Sequence, residues 1–245
     1  MAHTGTGFVI KASSAISNVF HQLSSRFPEP LECLAAHLLL ESSEVLGGVK
    51  PANLVSLVNR TRPCGRNIYQ LWLAHHDELF SRLSGICFKV LKTRQNALLL
   101  FCYNPDHLER HLAHPGIRVL LKKAGYDTSL SSRALLAELC RRIDDSGAFP
   151  HEIGLFIGYP AKDVAAFMGM VKLPFACQGP WKIYGDPAQS LCLADAHRSS
   201  RVAMGHQLAE CNSPFDCLAK TSHRGAHFFR TTTDIDCQFH REAGL

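Results

Sequence analysis

The sequence predicts a mixed α/β (α+β) domain: a small sheet of about four strands under a helical layer, with a helix-rich N-terminal half. Three observations point there. Two apolar runs of strand length, "ICFKVLK" and "NALLLFCY", flank a short "TRQ". Two more short segments, "HEIGLFIG" and "WKIYG", carry aliphatic and aromatic residues in strand-like order. Around them lie segments with apolar residues at helical spacing, several opened by proline or asparagine and closed by glycine. With 245 residues, 46% hydrophobic and 19% charged, the chain is long and apolar enough for a substantial core.

Taken in order, Pro28 and Pro30 precede "LECLAAHLLL", where Leu31, Leu34, Ala35 and Leu38 share a helical face, and Gly47 with Gly48 closes the segment. "KPANLVSLVNR" (50–60) reads as a short second helix or turn. The basic loop "RTRPCGR" (60–66) leads into "NIYQLWLAHHDELFSRL", a helix ended by Gly85. The two apolar strands follow. Asn104 before Pro105 opens the helix "PDHLERHLA", and "GIRVLLKKAGY" and "SSRALLAELCRRIDD" are the next two. "HEIGLFIG" (151–158) reads as a third strand, "PAKDVAAFM" as a helix and "WKIYG" (181–185) as a fourth strand. Asp186 and Pro187 then cap the long segment that ends at Glu210. From about residue 213 the periodicity fades into polar, Thr- and His-rich text. The expected organisation is one domain over residues 1–212 and an appended Cys/His-containing tail over 213–245.

Charge and cysteine usage narrow the function classes. Residues 60–95 hold Arg60, Arg62, Arg66, Arg82, Lys89, Lys92 and Arg94 against Asp77 and Glu78, which accounts for the net charge of +5. The rest of the chain balances, so no extended nucleic-acid surface is indicated. Arg60, Arg62 and Arg66 are candidate contacts for an anionic partner. Ten cysteines at irregular spacing, without a CxxC and without a basic apolar leader, argue against a disulfide framework and for a soluble cytoplasmic protein with no membrane span.

Four segments carry a resemblance. "KPANL", "ALLLFCYNPDHLERHL", "FPHEIGLFIGYPAKDV" and "WKIYGD", in that order, resemble the bacterial family known only as domain of unknown function 3793, over roughly residues 36–200. The resemblance implies relatives mostly from anaerobic bacteria and no known activity. Two features depart from the family pattern: Pro180 stands where an aromatic residue precedes the tryptophan, and the tail beyond about 213 is private to this chain.

On a strand, His151, Ile153, Leu155 and Ile157 share one face, and Glu152, Gly154, Phe156 and Gly158 the other. A carboxylate beside two positions without side chains leaves a shallow groove, to be filled by a packed helix or by a ligand. If the "WKIYG" strand lies alongside, Lys182 or Tyr184 reaches Glu152. Gly158, Tyr159 and Pro160 form either a plain turn or a strand end with helix N–H groups facing an anion, which Asp163 would repel. The candidate ligand- or partner-binding residues are therefore His151, Glu152, Gly154, Gly158, Tyr159, Pro160, Lys182 and Tyr184. The competing reading is an ion pair with glycines that permit close packing.

Metal candidates are His107 and His111, with His114 on the same helical face but biased outward by Pro115, and the series Cys211, Cys217, His223, His227, Cys237 and His240. His75 and His76 diverge on a helix and cannot chelate together. Cys64, between Arg62 and Arg66, has the neighbours of an activated thiol. No GxSxG, HExxH or paired-carboxylate signature appears. The leading expectation is a non-enzymatic accessory protein that binds a ligand or partner, the partner being an acidic redox or iron-handling protein. Its rivals are an enzyme with Glu152 or His151 as acid-base group and Cys64 or Cys177 as thiol, and a metal or haem sensor built on the Cys/His series. No cofactor is assigned.

Overall fold

A computed structural model of the chain describes residues 22–145 and 149–217, with Asp145 described by its backbone alone. The architecture is mixed, as the sequence predicts. Helix α1 (Pro30–Glu41) and the turn α2 (Ser43–Leu46) lead into strand β1 (Ala52–Val58). Helix α3 (Ile68–Arg82) precedes the hairpin β2 (Cys87–Arg94) and β3 (Ala97–Tyr103). Helices α4 (Pro105–Ala113), α5 (Pro115–Lys123) and α6 (Ser132–Asp145) follow. Next come the turn α7 (Ile153–Phe156), helix α8 (Ala161–Phe167), strands β4 (Phe175–Gln178) and β5 (Lys182–Tyr184), and the long helix α9 (Ala188–Glu210).

The main sheet is antiparallel in the order β1-β3-β2, with Val55 opposite Leu100 and Lys89 opposite Phe101. As the middle strand, β3 is buried on both faces. Its Leu98, Leu100 and Cys102 meet Leu34, Leu38, Trp72 and Leu79 of α1 and α3. Phe101 turns the other way, into the cluster that holds Leu108, Leu112, Leu121, Leu139 and Phe156. Helices thus cover the sheet on two sides, which accounts for the continuous apolar run in "ALLLFCY". The middle of α1 is buried all round because α9 packs on its far side, through Met204 and Leu208 against Ala36, Leu39 and Leu40.

Three expectations need correction. Residues 52–58 form a strand, not a helix or turn. Apolar residues at 54, 55, 57 and 58 satisfy both periods, and the ladder to β3 decides between them. "HEIGLFIG" is not a strand but a helical turn: the Ile153 N–H bonds the Pro150 carbonyl, and Gly158, at φ 80°, ends the turn with the Tyr159 N–H on the Gly154 carbonyl. Ile153, Leu155, Phe156 and Ile157 are all buried, so their apparent alternation marks no two faces. The strands also do not form one sheet of about four. The main sheet has three, and "WKIYG" supplies β5 of a separate two-stranded hairpin with β4, whose short, exposed "FACQ" carries no alternation.

Residues 213–217, assigned to the tail, pack against the domain. Cys217 is buried beside Cys211, and Ser213 Oγ donates to Glu32 Oε1 at 2.7 Å. The rest of that tail, with His223, His227, Cys237 and His240, lies outside the described residues. Among the described residues no helix is long and apolar enough to cross a membrane.

Candidate functional site

The helical turn scatters the residues expected to share one strand face. Glu152 is 8% exposed, and its Oε1 accepts from Tyr126 Oη and Arg142 Nη1, each at 3.2 Å. Arg142 also donates to the carbonyls of Ala124 and Gly125 at 2.7 Å, and so closes the end of α5. Burial, then the charge of Glu152, pushes the Tyr126 phenol pKa up. Glu152 is therefore committed to α5 and α6. Lys182 and Tyr184 do not pair with it. Lys182 Nζ lies over the Phe167 ring at 5.4 Å, and exposed His151 meets the same ring edge-on at 4.9 Å.

The expected groove between the glycines is filled. A Cβ on Gly154 would stand 2.9 Å from Val164 Cγ2, and one on Gly158 would stand 2.5 Å from Pro51 Cδ. These glycines admit α8 and the entry to β1.

The residue that joins the motifs is Asp163, in the first turn of α8 and 1% exposed. Its Oδ1 accepts from Lys162 Nζ at 2.8 Å and from the Tyr184 N–H at 2.9 Å. Its Oδ2 accepts from Trp181 Nε1 at 2.8 Å and from Ser190 Oγ at 2.6 Å. Burial alone would raise this carboxyl's pKa, but the donors outweigh it and hold the group below the usual range. Lys162 Nζ also donates to the Tyr184 carbonyl at 2.7 Å. One carboxylate thus ties "GYPAKDV" to "WKIYGD" and to the start of α9. Its four bonds hold these two segments together without a ligand.

The other face of that junction holds a buried amine. Lys50, the first residue of "KPANL", is 4% exposed, and its Nζ donates to Asn53 Oδ1 at 2.8 Å and lies 5.2 Å from the centroid of the Tyr159 ring. Burial brings its pKa down to about 8, against the opposing pull of Glu44. Asn53 Nδ2 in turn donates to the Glu41 carbonyl and to Glu44 Oε2. Tyr159 stacks on Trp181 at 4.6 Å, and burial raises its phenol to about 12. Trp181 also meets the ring of His197, which burial keeps neutral with a pKa of about 3 and whose Nε2 has no hydrogen-bond partner. Lys50, Tyr159 and Trp181, from three of the four motifs, thus form one chain of contacts, Lys50 on Tyr159 and Tyr159 on Trp181. Sequence reasoning passes over Lys50, Asn53, Ser190 and His197, and assigns Asp163 to the helix dipole alone. No local signal marks Lys50, since a lysine between "GGV" and proline reads as an exposed loop residue.

The basic loop divides. Arg60 and Arg62 help line a small pocket of about 100 Å³ with His37 and Ser56, whereas Arg66 Nη2 donates to the Pro28 carbonyl. Burial holds His37 neutral, with a pKa of about 4, and the neighbouring Glu41 is ion-paired to Arg201 at 2.6 Å. Burial works to raise the Cys64 pKa. Hydrogen bonds from Ser24 and the backbone of Arg66, with the charge of Arg62, bring it below the ordinary thiol value instead. Cys177 faces Trp181 and Ile183 inside the hairpin.

Of the described histidine candidates, two have their ring nitrogens engaged. His111 Nε2 bonds the Leu155 carbonyl at 2.7 Å, His107 is held neutral by burial at about 4, and His114 caps α5 through its Nδ1. Among the described residues no group of three or more His, Cys, Asp or Glu side chains is placed to hold a metal ion.

Fold and site together define a small α+β domain whose motifs build a polar interior rather than an open cleft. The chain belongs to the family described as "Protein of unknown function (DUF3793)", whose model matches residues 38–218 and so reaches past residue 200 to take in Cys211 and Cys217. No curated protein and no solved structure matches the chain.

Proposed function

We propose that this protein is a non-enzymatic binding module that docks an acidic protein on the surface around β4. The observation that carries this reading is a run of exposed chain, residues 171–176, displaying Val171, Leu173 and Phe175 at 39%, 37% and 56% exposure beside Phe167 at 37%. Several exposed large apolar side chains within one short segment are the raw material of an interaction site. Lys172 and Lys182 flank it, both exposed, and give it a positive rim. Pairing on only one side, to β5, leaves the other edge of β4 open among the described residues, the geometry that strand addition uses. Asp163 anchors β5 underneath, so the surface is pre-formed. An acidic redox or iron-handling protein of the cytoplasm is the partner this proposal names.

The test is site-specific photo-crosslinking in producing cells, with the probe at Phe175 and, as control, at Val202 on α9. A discrete adduct with an acidic protein from Phe175 alone, weakened in a Lys172→Glu/Lys182→Glu variant and by added salt, supports docking. Equal adducts from both positions, or none, overturn it.

A further inference from the structure

The described chain ends on two thiols in contact. Cys211 follows the last turn of α9 and Cys217 lies six residues on. Their sulfur atoms stand 2.9 Å apart, both residues are buried at 4% and 1% exposure, and neither is bonded covalently. A disulfide bond is about 2.05 Å long, so joining them asks each sulfur to move by a fraction of an ångström. The surroundings hold that geometry. Arg26 Nη2 donates to the Cys211 carbonyl at 2.8 Å, Ser213 Oγ to Glu32 at 2.7 Å, and the Arg82 guanidinium lies 5.1 Å from the centroid of the Phe215 ring. Leu23, Phe27, Leu40 and Leu208 pack around the sulfurs. The other buried thiols differ: Cys102 bonds Ser42 Oγ at 2.9 Å, and Cys33 faces Leu34, Trp72 and their neighbours in another cluster.

We infer that Cys211 and Cys217 are a reversible modification site, closing to an intramolecular disulfide when a small-molecule disulfide such as glutathione disulfide is in excess. Cys211, uncovered when the short segment 212–217 opens locally, attacks as thiolate. It breaks the S–S bond of the oxidant, expels one thiolate and forms a mixed disulfide. Cys217, deprotonated in turn, attacks the Cys211 sulfur and expels the second small thiol. Two protein thiols are oxidised, one disulfide is reduced to two thiols, and the two protons lost from the cysteines end on the released thiolates. The product closes the loop 212–216 and staples Phe215 and Ser213 against α1 and α3.

The experiment uses the reduced full-length protein in glutathione and glutathione disulfide mixtures of increasing oxidising strength, quenched with acid, alkylated and digested with trypsin. No Lys or Arg lies between Val202 and Lys220, so one peptide carries both sulfurs and no other cysteine. The expected result is that this peptide becomes unalkylatable and lighter by two hydrogen atoms while Cys102 stays alkylated, and that it does so in mixtures roughly tenfold less oxidising than the urea-unfolded chain requires. In Cys217→Ser, the glutathione adduct on Cys211 accumulates. Should that variant fail to fold, the wild-type titration decides alone. A peptide that keeps both alkyl groups where exposed Cys192 already carries glutathione, or that closes no more readily folded than unfolded, overturns the inference.

Discussion

At the scale of the residue, two glycines with similar backbone conformations separate strain from collision. Gly65 has φ 78° with nothing within 4 Å of a would-be Cβ, whereas Gly158 has φ 80° with Pro51 Cδ at 2.5 Å. Gly65→Ala therefore bears only the left-handed penalty of roughly 1–2 kcal/mol. Gly158→Ala adds the displacement of Pro51, which enters β1, and is expected to cost about 2 kcal/mol more. Urea titrations of the two variants read the difference, and equal midpoints would show that Pro51 yields freely. The same comparison explains why "GLFIGYP" looks like a site on the page. A glycine held by packing and a glycine held open for a ligand are the same letter, and the neighbouring proline is about 100 residues away in sequence.

Elements are joined here by single buried acids. Asp163 fastens β5 and α9 to α8 through four donors, one of them the Trp181 indole. Asp163→Asn keeps the shape but turns an amide donor toward groups that are themselves donors, and leaves the Lys162 ammonium with the Tyr184 carbonyl but no counter-charge. A loss of about 3 kcal/mol is expected, with a change in Trp181 fluorescence as the hairpin loosens. A variant as stable as the wild type, with unchanged emission, would mean that the hairpin is held by the Trp181, Ile183 and Ala194 contacts alone. Glu152 serves α5 and α6 in the same way, through Tyr126 and Arg142. Hydrogen-bonded helix ends and junctions consume the polar residues that a sequence reading assigns to a ligand.

For the whole molecule, histidines kept neutral by burial contribute to the response to acid, beside carboxylates such as Asp163 whose pKa is held low. His37, His107 and His197 have pKa values lowered by burial to about 4, 4 and 3, from an ordinary value of 6.5. As pH falls through 6.5 the unfolded chain takes up protons that the folded chain refuses, so stability drops until pH reaches the folded values. From about pH 7 to about pH 4.5 His37 and His197 together remove on the order of 5 kcal/mol, and half-buried His107 adds less than either. Denaturant titrations across that range check it. His197→Phe should flatten the slope, because it deletes a titrating ring without removing a hydrogen bond from its Nε2. An acid response identical to the wild type would place the uptake elsewhere.

The sequence by itself determined the mixed class, the β2–β3 hairpin and the helices opened by Asn104-Pro105 and Pro115, because those signals are local: period, caps and turns act within a few residues. It also carried the family, since four ordered motifs survive as text. Tertiary structure alone decided that 52–58 is a strand, that 153–156 is a helical turn and that "WKIYG" leaves the main sheet. In each case the apolar residues suit two periods, and a distant partner breaks the tie. It alone decided that Glu152 faces Arg142 rather than Lys182, that Lys50 is interior and that Cys211 touches Cys217. Hydrogen bonds, burial and sulfur contacts depend on what the fold brings within a few ångströms, and separation along the chain does not encode that distance.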